Sequence, residues 1–380
     1  MSGHLPAWAY AVALAGLPYM TWDRLARVLA GGGQATGAGG PTVPARPGTA
    51  GGGPAEAWAR VVAGHFGEPL ARFAAATSVE AVAEAHRRAG VAVHLLGEPG
   101  FPPALAGDHE APPVLLSLGD PDALAGHRVG IVGTRRATGY GRDVARQLGR
   151  ELAGAGVGVV SGLALGIDGA AHEGALAAER PAAPPVGVVG SGPDVVYPRR
   201  HADLWRRVAG AGVLLSEAPV GARPEPWRFP ARNRLIAALA DVLVVVESHA
   251  TGGSMHTVRA AAERGVTVMA VPGPVRSPAS EGANALLADG CPPARDARDV
   301  LVALSLETAS ATPARRDERP PPTGEAVEVL AALGWEATSV EHLVAATGLA
   351  PSRVALALVR LEQDGWARAS GGWWERVAAP

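Results

Sequence analysis

Residues 133–141 combine the chemical groups that bind a phosphate. Gly133 and Thr134 directly follow a short β-branched run, and a helical pattern begins a few residues later. Where a strand end turns into a helix, backbone N–H groups and the positive end of the helix dipole converge. Arg135 adds a guanidinium that can donate two hydrogen bonds to one phosphate. The spacing matches neither the dinucleotide nor the P-loop fingerprint. We therefore predict an anion-binding loop, with a simple tight turn as the alternative.

A second glycine-rich loop has a similar composition. Gly252, Gly253 and Ser254 follow the apolar run 242–246 and precede a helical pattern that begins near Thr257. We expect a second anion-binding loop here, with Gly253 in a left-handed conformation that lets the backbone approach its ligand closely. Gly162 stands at the corresponding place after the apolar run 157–160.

One aromatic residue lies among several cations in residues 228–234. Phe229 offers a ring on which a base can stack, Arg232 and Arg234 offer guanidinium groups for phosphates, and Asn233 stands between them. Such a mixture is typical of a contact with single-stranded nucleic acid. The alternative is a set of arginines that pair with acidic residues on a solvated helix face.

Asp168 and His172 are the other polar residues near these loops. Asp168 stands at the start of a helical pattern, where we expect it to be the N-cap. His172 has no evident nucleophile to pair with, so we expect a packing or capping role rather than catalysis.

Composition excludes several kinds of chemistry. All 34 basic residues are arginine, which rules out a Walker-A lysine, a Schiff-base lysine and a pyridoxal-phosphate anchor. Cys291 is the only cysteine, so neither a disulfide framework nor a cysteine-based zinc site is available. We expect no metal and no cofactor. The net charge is −2, yet residues 128–304 hold 20 arginines against 16 acidic residues. That balance fits a focused basic site better than a broad surface for duplex DNA.

The central part of the chain alternates between strand and helix patterns. Helical spacing occurs between short apolar runs, for example at 141–155 and 257–264. The runs are 129–132, 157–160, 186–189, 213–215, 242–246 and 266–271. This alternation predicts an α/β fold with a Rossmann-like, doubly wound parallel sheet that is covered on both faces. In such sheets ligands bind beyond the carboxyl ends of the strands, which is where the polar loops fall.

The flanking sequence predicts further units. We expect a small helical N-terminal domain at 1–85 with a Gly/Pro-rich insertion at 31–54, a Rossmann-like DNA-binding domain at 86–305, a linker at 306–323 and a winged helix-turn-helix domain at 324–380. In the last domain Ser339 is the expected N-cap of a helix, and residues 366–377 are the expected wing. The acidic residues Glu362 and Asp364 leave its third helix only a thin basic face, so a protein-docking or structural role is at least as plausible as duplex binding.

The segment 6–20 is apolar, but it lacks a basic region before it and contains prolines, so we expect an ordinary amphipathic helix rather than a signal sequence. No other run approaches the roughly 20 apolar residues of a membrane span. We expect a cytoplasmic protein without such a span.

Taken together, the motifs resemble those of the DNA-processing protein A (DprA/Smf) family, in order and in spacing. The resemblance covers about residues 86–304 and extends to the C-terminal winged helix. Its motifs are GTRRATGYG at 133–141, SGLALGIDGAAH at 161–172, GSGPDVVYP at 190–198, SEAPVG at 216–221, FPARNRLIAAL at 229–239, VVVES at 244–248, TGGS at 251–254, VPG at 271–273 and SEGANALLADG at 280–290.

The resemblance implies a non-enzymatic protein that binds single-stranded DNA without sequence preference. It also implies that the chain forms a homodimer and helps to load the RecA recombinase during natural transformation. Carried onto this chain, the residues that bind single-stranded DNA are Gly133, Thr134, Arg135, Gly162, Phe229, Arg232, Asn233, Arg234, Gly252, Gly253 and Ser254. Thr134 replaces the more common serine, and residues 253–256 depart from the usual Gly-Ser-Leu-Ile.

An enzyme is the alternative. Rossmann-like proteins of the lysine-decarboxylase-like group hydrolyse nucleoside monophosphates with a glycine-rich loop that carries a glutamate. In the corresponding loop of this chain Arg259 stands at the acidic position, and Glu263 lies one helical turn farther on. Without that carboxylate the hydrolysis lacks its acid/base group.

Overall fold

The computed structural model describes residues 5–31, 53–179, 181–306, 319–335 and 337–377. The helices are α1 (Ala7–Ala15), α2 (Trp22–Leu29), α3 (Pro54–Val62), α4 (Glu68–Ala75), α5 (Val79–Ala89), α6 (Pro103–Ala106), α7 (Gly139–Gly154), α8 (Ile167–Leu176), α9 (Ala202–Ala211), α10 (Arg228–Leu239), α11 (Ser254–Glu263), α12 (Glu281–Ala288), α13 (Ala297–Ala303), α14 (Glu325–Ala332), α15 (Val340–Thr347) and α16 (Pro351–Gln363). The strands are β1 (Ala92–Leu95), β2 (Val114–Gly119), β3 (Arg128–Val132), β4 (Gly158–Ser161), β5 (Val186–Val188), β6 (Val213–Ser216), β7 (Val242–Val245), β8 (Thr267–Ala270), β9 (Ala367–Ser370) and β10 (Trp373–Arg376).

A single mixed sheet organises the centre of the chain, in the order β1-β2-β6-β5-β4-β3-β7-β8. Strands β3 to β8 pair in parallel, and each coincides with one of the six predicted apolar runs. Strands β1 and β2 add an antiparallel edge that the sequence analysis did not predict. The predicted Rossmann-like fold class is confirmed.

Alternating side chains of the parallel strands pack into two separate hydrophobic cores, one on each face of the sheet. Val129 and Ile131 of β3 pack with α7, α8 and α13, whereas Val132 packs with α10, α11 and α12 on the other face. This is the two-sided burial that makes parallel strands read as continuous apolar runs.

The chain reverses its direction of winding between β3 and β7. From β3 the strands proceed outward through β4 and β5 to β6, and the chain then returns to place β7 and β8 on the other side of β3. In open α/β sheets the crevice at such a switch point, beyond the carboxyl ends, is where ligands bind. The loops that contain Arg135 and Gly253 therefore lie side by side.

Helices α1–α5 cover the antiparallel edge of the sheet. Their apolar residues form one cluster with Leu95 of β1 and with Val114 and Leu116 of β2. Most of the predicted insertion, residues 32–52, lies outside the described residues, as do 307–318 of the predicted linker.

The C-terminal helices and hairpin form a winged helix, as predicted. The Ser339 hydroxyl accepts a hydrogen bond from His342 N–H at 3.2 Å and thereby caps α15, and β9 and β10 form the wing. The wing contacts the sheet domain through an Arg368–Asp143 ion pair of 3.0 Å.

Within the described ranges no single helix is both long and apolar enough to cross a membrane. Helices α15 and α16 meet the length and apolarity test only when they are taken together, and the chain bends by 111° between them.

Candidate nucleic-acid interface

Phe229, in the first turn of α10, forms an aromatic platform with Tyr197. The two ring centroids lie 5.4 Å apart, and the planes are tilted by 33°. The Arg135 guanidinium lies 5.2 Å from the centroid of the Phe229 ring, which is cation–π distance. Tyr197 is 42% exposed and Phe229 is half-buried. The structure therefore brings Phe229 and Arg135 together, although 94 positions separate them (229 − 135).

No function was predicted for Tyr197, which lies in the turn formed by the motif at residues 190–198. Two hydrogen bonds stabilise this turn: the Ser191 hydroxyl donates to the Val195 carbonyl at 2.7 Å, and the Trp205 indole of α9 donates to the Pro193 carbonyl at 3.0 Å. The turn nevertheless follows the carboxyl end of β5 and presents an aromatic ring there. An aromatic residue in the loop that follows a parallel strand was the signal that could have identified it.

The predicted anion site at the start of α7 is already occupied by the chain's own carboxylate. Glu247 is 2% exposed, and its carboxylate accepts hydrogen bonds from the Thr138 N–H at 2.9 Å and from the Thr138 hydroxyl at 2.6 Å. A Cβ at Gly141 would overlap this carboxylate. The expectation that this helix end is free for a phosphate is wrong, because Glu247 neutralises its positive dipole.

Gly133 and Thr134 join the two loops rather than face outward. The Thr134 N–H donates to the Glu247 carbonyl at 2.7 Å, and a Cβ at Gly133 would lie 2.6 Å from that same oxygen. Arg135, the next residue, is exposed. The guanidinium of Arg135 therefore remains available to a phosphate.

The second predicted loop keeps free donors at the start of α11. This helix has no side-chain cap and no acidic residue in its first turn. Within the part of the chain that the structure describes, the N–H groups of Gly253 and Ser254 donate no hydrogen bond. Gly253 has φ −60° and open space around its Cβ position, so the expected left-handed conformation is wrong. Gly252 is the tighter position, because a Cβ there would lie 2.7 Å from the Ser248 hydroxyl.

Asn233 joins this loop to α10. Its amide Nδ2 donates to the Gly253 carbonyl at 3.4 Å, one helical turn beyond Phe229. The α11 amides and the aromatic platform therefore border one surface.

Arg232 lies beneath this surface rather than on it. It is 6% exposed, and its guanidinium donates to the Val188 carbonyl. Burial lowers the pKa of Arg232 to about 10, although nearby Asp168 opposes that shift. A Cβ at Gly162 would overlap the guanidinium, so Gly162 is required for packing. The expectation that Arg232 presents a guanidinium to phosphates is wrong for this conformation.

Asp168 is a buried carboxylate in the neighbourhood of this cation, without a direct ion pair to it. Its carboxylate accepts from the Gly162 N–H at 3.1 Å, and the N-cap of α8 is Gly166, so the N-cap predicted for Asp168 is wrong. Burial raises the pKa of Asp168 and outweighs the opposing effect of Arg232. His172 is fully buried next to the Val186 carbonyl, and burial lowers its pKa to about 4. The predicted packing role of His172 is confirmed.

Arg234 points to the other side of α10. It donates two hydrogen bonds to Glu217, at 2.6 and 2.8 Å, and its guanidinium lies 4.8 Å from the Trp22 ring centroid. The expectation that Arg234 faces the cleft is wrong, because five residues of helix rotate its side chain away from that of Phe229. It connects the N-terminal helices to the sheet instead.

The enzyme alternative needs a carboxylate at the position of Arg259, which lies in the middle of α11. Glu263 is the last residue of α11, one helical turn farther on. Glu247 and Asp168 are the acids near the loops, and both are buried and hydrogen-bonded. Among the described residues no cluster of His, Cys, Asp and Glu could hold a metal ion.

Comparisons with known proteins agree with the motifs. The family model described as DNA recombination-mediator protein A matches residues 92–305, and the one described as DprA winged helix domain matches residues 311–372. The putative DNA processing protein DprA of Mycobacterium tuberculosis is 40% identical over 282 residues, which cover 71% of this chain and 70% of that protein.

Two solved structures are similar in fold and sequence. The DNA processing protein A of Streptococcus pneumoniae is 29% identical with a TM-score of 0.54, and the match covers 62% of this chain and 81% of that one. The DNA processing protein A of Helicobacter pylori, described for its single-stranded DNA binding mode, is 30% identical with a TM-score of 0.50 and coverages of 57% and 95%.

Proposed function

Because this chain belongs to the DNA-processing protein A (DprA/Smf) family, we propose that its sheet domain binds single-stranded DNA across the switch-point crevice. The observation that carries the proposal is the aromatic platform of Phe229 and Tyr197, with Arg135 on one side of it. Rings bind the bases of a single strand by stacking, which is possible with every base. A guanidinium beside them binds the phosphate between two such bases.

The start of α11 provides the second phosphate contact of this proposal. The N–H groups of Gly253 and Ser254, at the positive end of a helix dipole, favour an anion. Backbone amides and guanidinium groups that bind phosphate carry no sequence information. We therefore expect binding that is independent of sequence.

The winged helix offers little to a duplex. Arg353 of α16 is engaged in an ion pair with Glu325, which reduces the basic face still further. The net charge of −2 likewise argues against a broad electrostatic footprint.

The binding experiment compares the affinity of the purified chain for a labelled dT oligonucleotide and for a duplex of the same length, across a salt series. Wild type should prefer the single strand. Arg135→Ala should weaken binding about equally for every single-stranded sequence and should lower the salt slope by roughly 0.7, the contribution of one phosphate contact on a single strand. Arg72→Ala is the matched control, because Arg72 is an exposed arginine of α4 that pairs with Glu68. Equal affinity for single strand and duplex would contradict the proposal.

As the family resemblance implies, the proposed role is to protect exposed or incoming single-stranded DNA and to help load RecA, with the chain acting as a homodimer. The family description as a recombination mediator supports this role. RecA filament assembly on DNA coated with a single-strand-binding protein should start faster when this chain is added, and light scattering after gel filtration should give the mass of a dimer. No acceleration, or a monomer mass, would contradict the respective part.

A further inference from the structure

A cavity of 170 Å³ lies between the N-terminal helices and the sheet, behind the aromatic platform. The side facing the N-terminal helices is formed by residues such as Ala15, Met20 and Leu25, and the opposite side includes Val189, Ser216 and Arg232. Its lining is apolar for the most part. None of the functions above uses this cavity.

Arg232, one of the residues that line the cavity, has an unused hydrogen-bond donor. Arg232 is 6% exposed, and its Nε–H is buried without a hydrogen-bond partner in the structure. Leaving a buried donor unsatisfied costs about 1–3 kcal/mol, and more for a charged group, so an unsatisfied guanidinium N–H calls for a ligand acceptor or a water.

The mouth of the cavity resembles a stacking site. Trp227 is the most exposed of the lining residues, at 38%, and the Arg228 guanidinium lies 4.6 Å from its ring centroid. Arg228 also lines the cavity. An aromatic ring and a guanidinium at the entrance are the groups that bind a base of a single strand.

The cavity adjoins the aromatic platform. Gly190 lines the cavity, and a Cβ on Gly190 would lie 3.1 Å from the Phe229 ring. Trp227 and Phe229 are two positions apart at the start of α10. A strand whose base stacks on Phe229 therefore passes close to the cavity mouth.

From these observations we infer that the cavity receives one carbonyl-bearing nucleobase of the bound strand. The inference rests on the proposed binding of single-stranded DNA. The cavity is smaller than the about 300–1,000 Å³ of pockets for drug-sized ligands, which fits one flat ring system. The carboxylates that line it, Asp23 and Glu217, pair with Arg27 and Arg234. Arg228 lies 3.4 Å from Glu225. Most charges at the cavity are therefore already paired, so a neutral base is favoured over a phosphate. The Arg232 Nε–H would donate to the base carbonyl, a group that thymine, cytosine and guanine possess.

A thermodynamic cycle tests this inference. Ala231→Leu places a larger side chain in the cavity wall, and Ala238→Leu makes the same change on α10 at a residue that packs against the sheet core instead. The affinity of each variant is measured for a dT oligonucleotide and for an abasic oligonucleotide of equal length. The ratio of the two affinities reports the contribution of the bases, because both ligands have the same phosphates.

Wild type and Ala238→Leu should show the same ratio, and Ala231→Leu should show one about 5–150-fold smaller, which corresponds to the loss of one base contact. Equal ratios in all three proteins would overturn the inference, because they would show that no base enters the cavity. Failure of wild type to bind dT at all would instead refute the proposed function.

A second measurement does not depend on the folding of a variant. The wild-type chain is irradiated in complex with a dT oligonucleotide that carries 5-iododeoxyuridine, and the cross-linked peptides are sequenced. Cross-links to Met20, Trp22 or Trp227, which line the cavity, support the inference. Cross-links confined to Tyr197 and Phe229 would overturn it.

Discussion

Replacing Phe229 with alanine separates strand recognition from general charge attraction. The centroid of its ring lies 5.4 Å from that of Tyr197 and 5.2 Å from the Arg135 guanidinium, and Phe229 belongs to none of the hydrophobic clusters. The substitution therefore removes a stacking surface and leaves the phosphate-binding groups in place.

The expected loss follows from the energy of one stacked base. Stacking on an aromatic side chain contributes about 1–3 kcal/mol, which is a factor of about 5–150 in Kd. The affinity of Phe229→Ala for single strands should fall by that factor, while the weak affinity for duplex DNA should change little because paired bases are not free to stack. The salt slope should stay the same, since no phosphate contact is lost.

The effect on stability should be modest. Replacing a fully buried phenylalanine with alanine costs about 3–5 kcal/mol, and a half-buried ring at a loop surface should cost less. Fluorescence anisotropy with labelled dT and duplex oligonucleotides, at several salt concentrations, gives the affinities, and a thermal melt of the same sample gives the stability. Phe73→Ala is the control, because Phe73 is a 54% exposed phenylalanine on α4.

Two results would refute this reasoning. If Phe229→Ala binds dT as tightly as Phe73→Ala does, the ring is not a stacking surface. If instead the melting temperature falls by the amount expected for a core residue and single-strand affinity is kept, the ring serves to pack the loop.

Further expectations concern buried charges, a helix end and acid stability. Arg234→Ala should destabilise the fold by up to about 3–5 kcal/mol, because it leaves the Glu217 carboxylate without its cation. Arg232→Ala should also destabilise the fold, because it removes a buried side chain and leaves the Val188 carbonyl without its donor. A variant that unfolds at the same denaturant concentration as wild type would contradict the respective expectation. Gly253→Val should melt like wild type, since its Cβ meets open space, yet bind dT more weakly by crowding the α11 amides; unchanged affinity would show that those amides do not bind phosphate. His172, whose pKa is lowered to about 4 by burial, stays neutral when folded but takes up a proton when unfolded below about pH 6.5. Protonation of His172 in the unfolded chain should therefore lower the free energy of unfolding by about 2 kcal/mol between pH 7 and pH 5. Urea melts of His172→Gln at the two pH values should show a correspondingly smaller loss.

The sequence was sufficient to predict the elements that build the sheet. Runs such as 242–246 are apolar at every position because both faces of a parallel sheet are buried, and that pattern is local. The winged helix was predictable for a similar reason. The helix cap at Ser339 and the turn at Gly371 and Gly372 between β9 and β10 both form between residues that are close in sequence. The antiparallel edge was missed, because its pairing joins residues about 20 positions apart, for example Val93 with Leu116.

Which polar groups face the crevice was decided by the tertiary structure. Arg232 and Arg234 are chemically alike in sequence, yet helix rotation buries the first next to the Val188 carbonyl and pairs the second with Glu217. Glu247 closes the start of α7 from 109 positions away, which no local pattern of glycines and hydroxyls can reveal.

Tyr197 meets Phe229 only because the carboxyl end of β5 and the start of α10 lie on the same side of the sheet. Composition and spacing thus determined which side chains and loops this protein could use for binding a strand. Their directions depend on contacts between distant segments, so only the folded chain determined which of them remain free to bind.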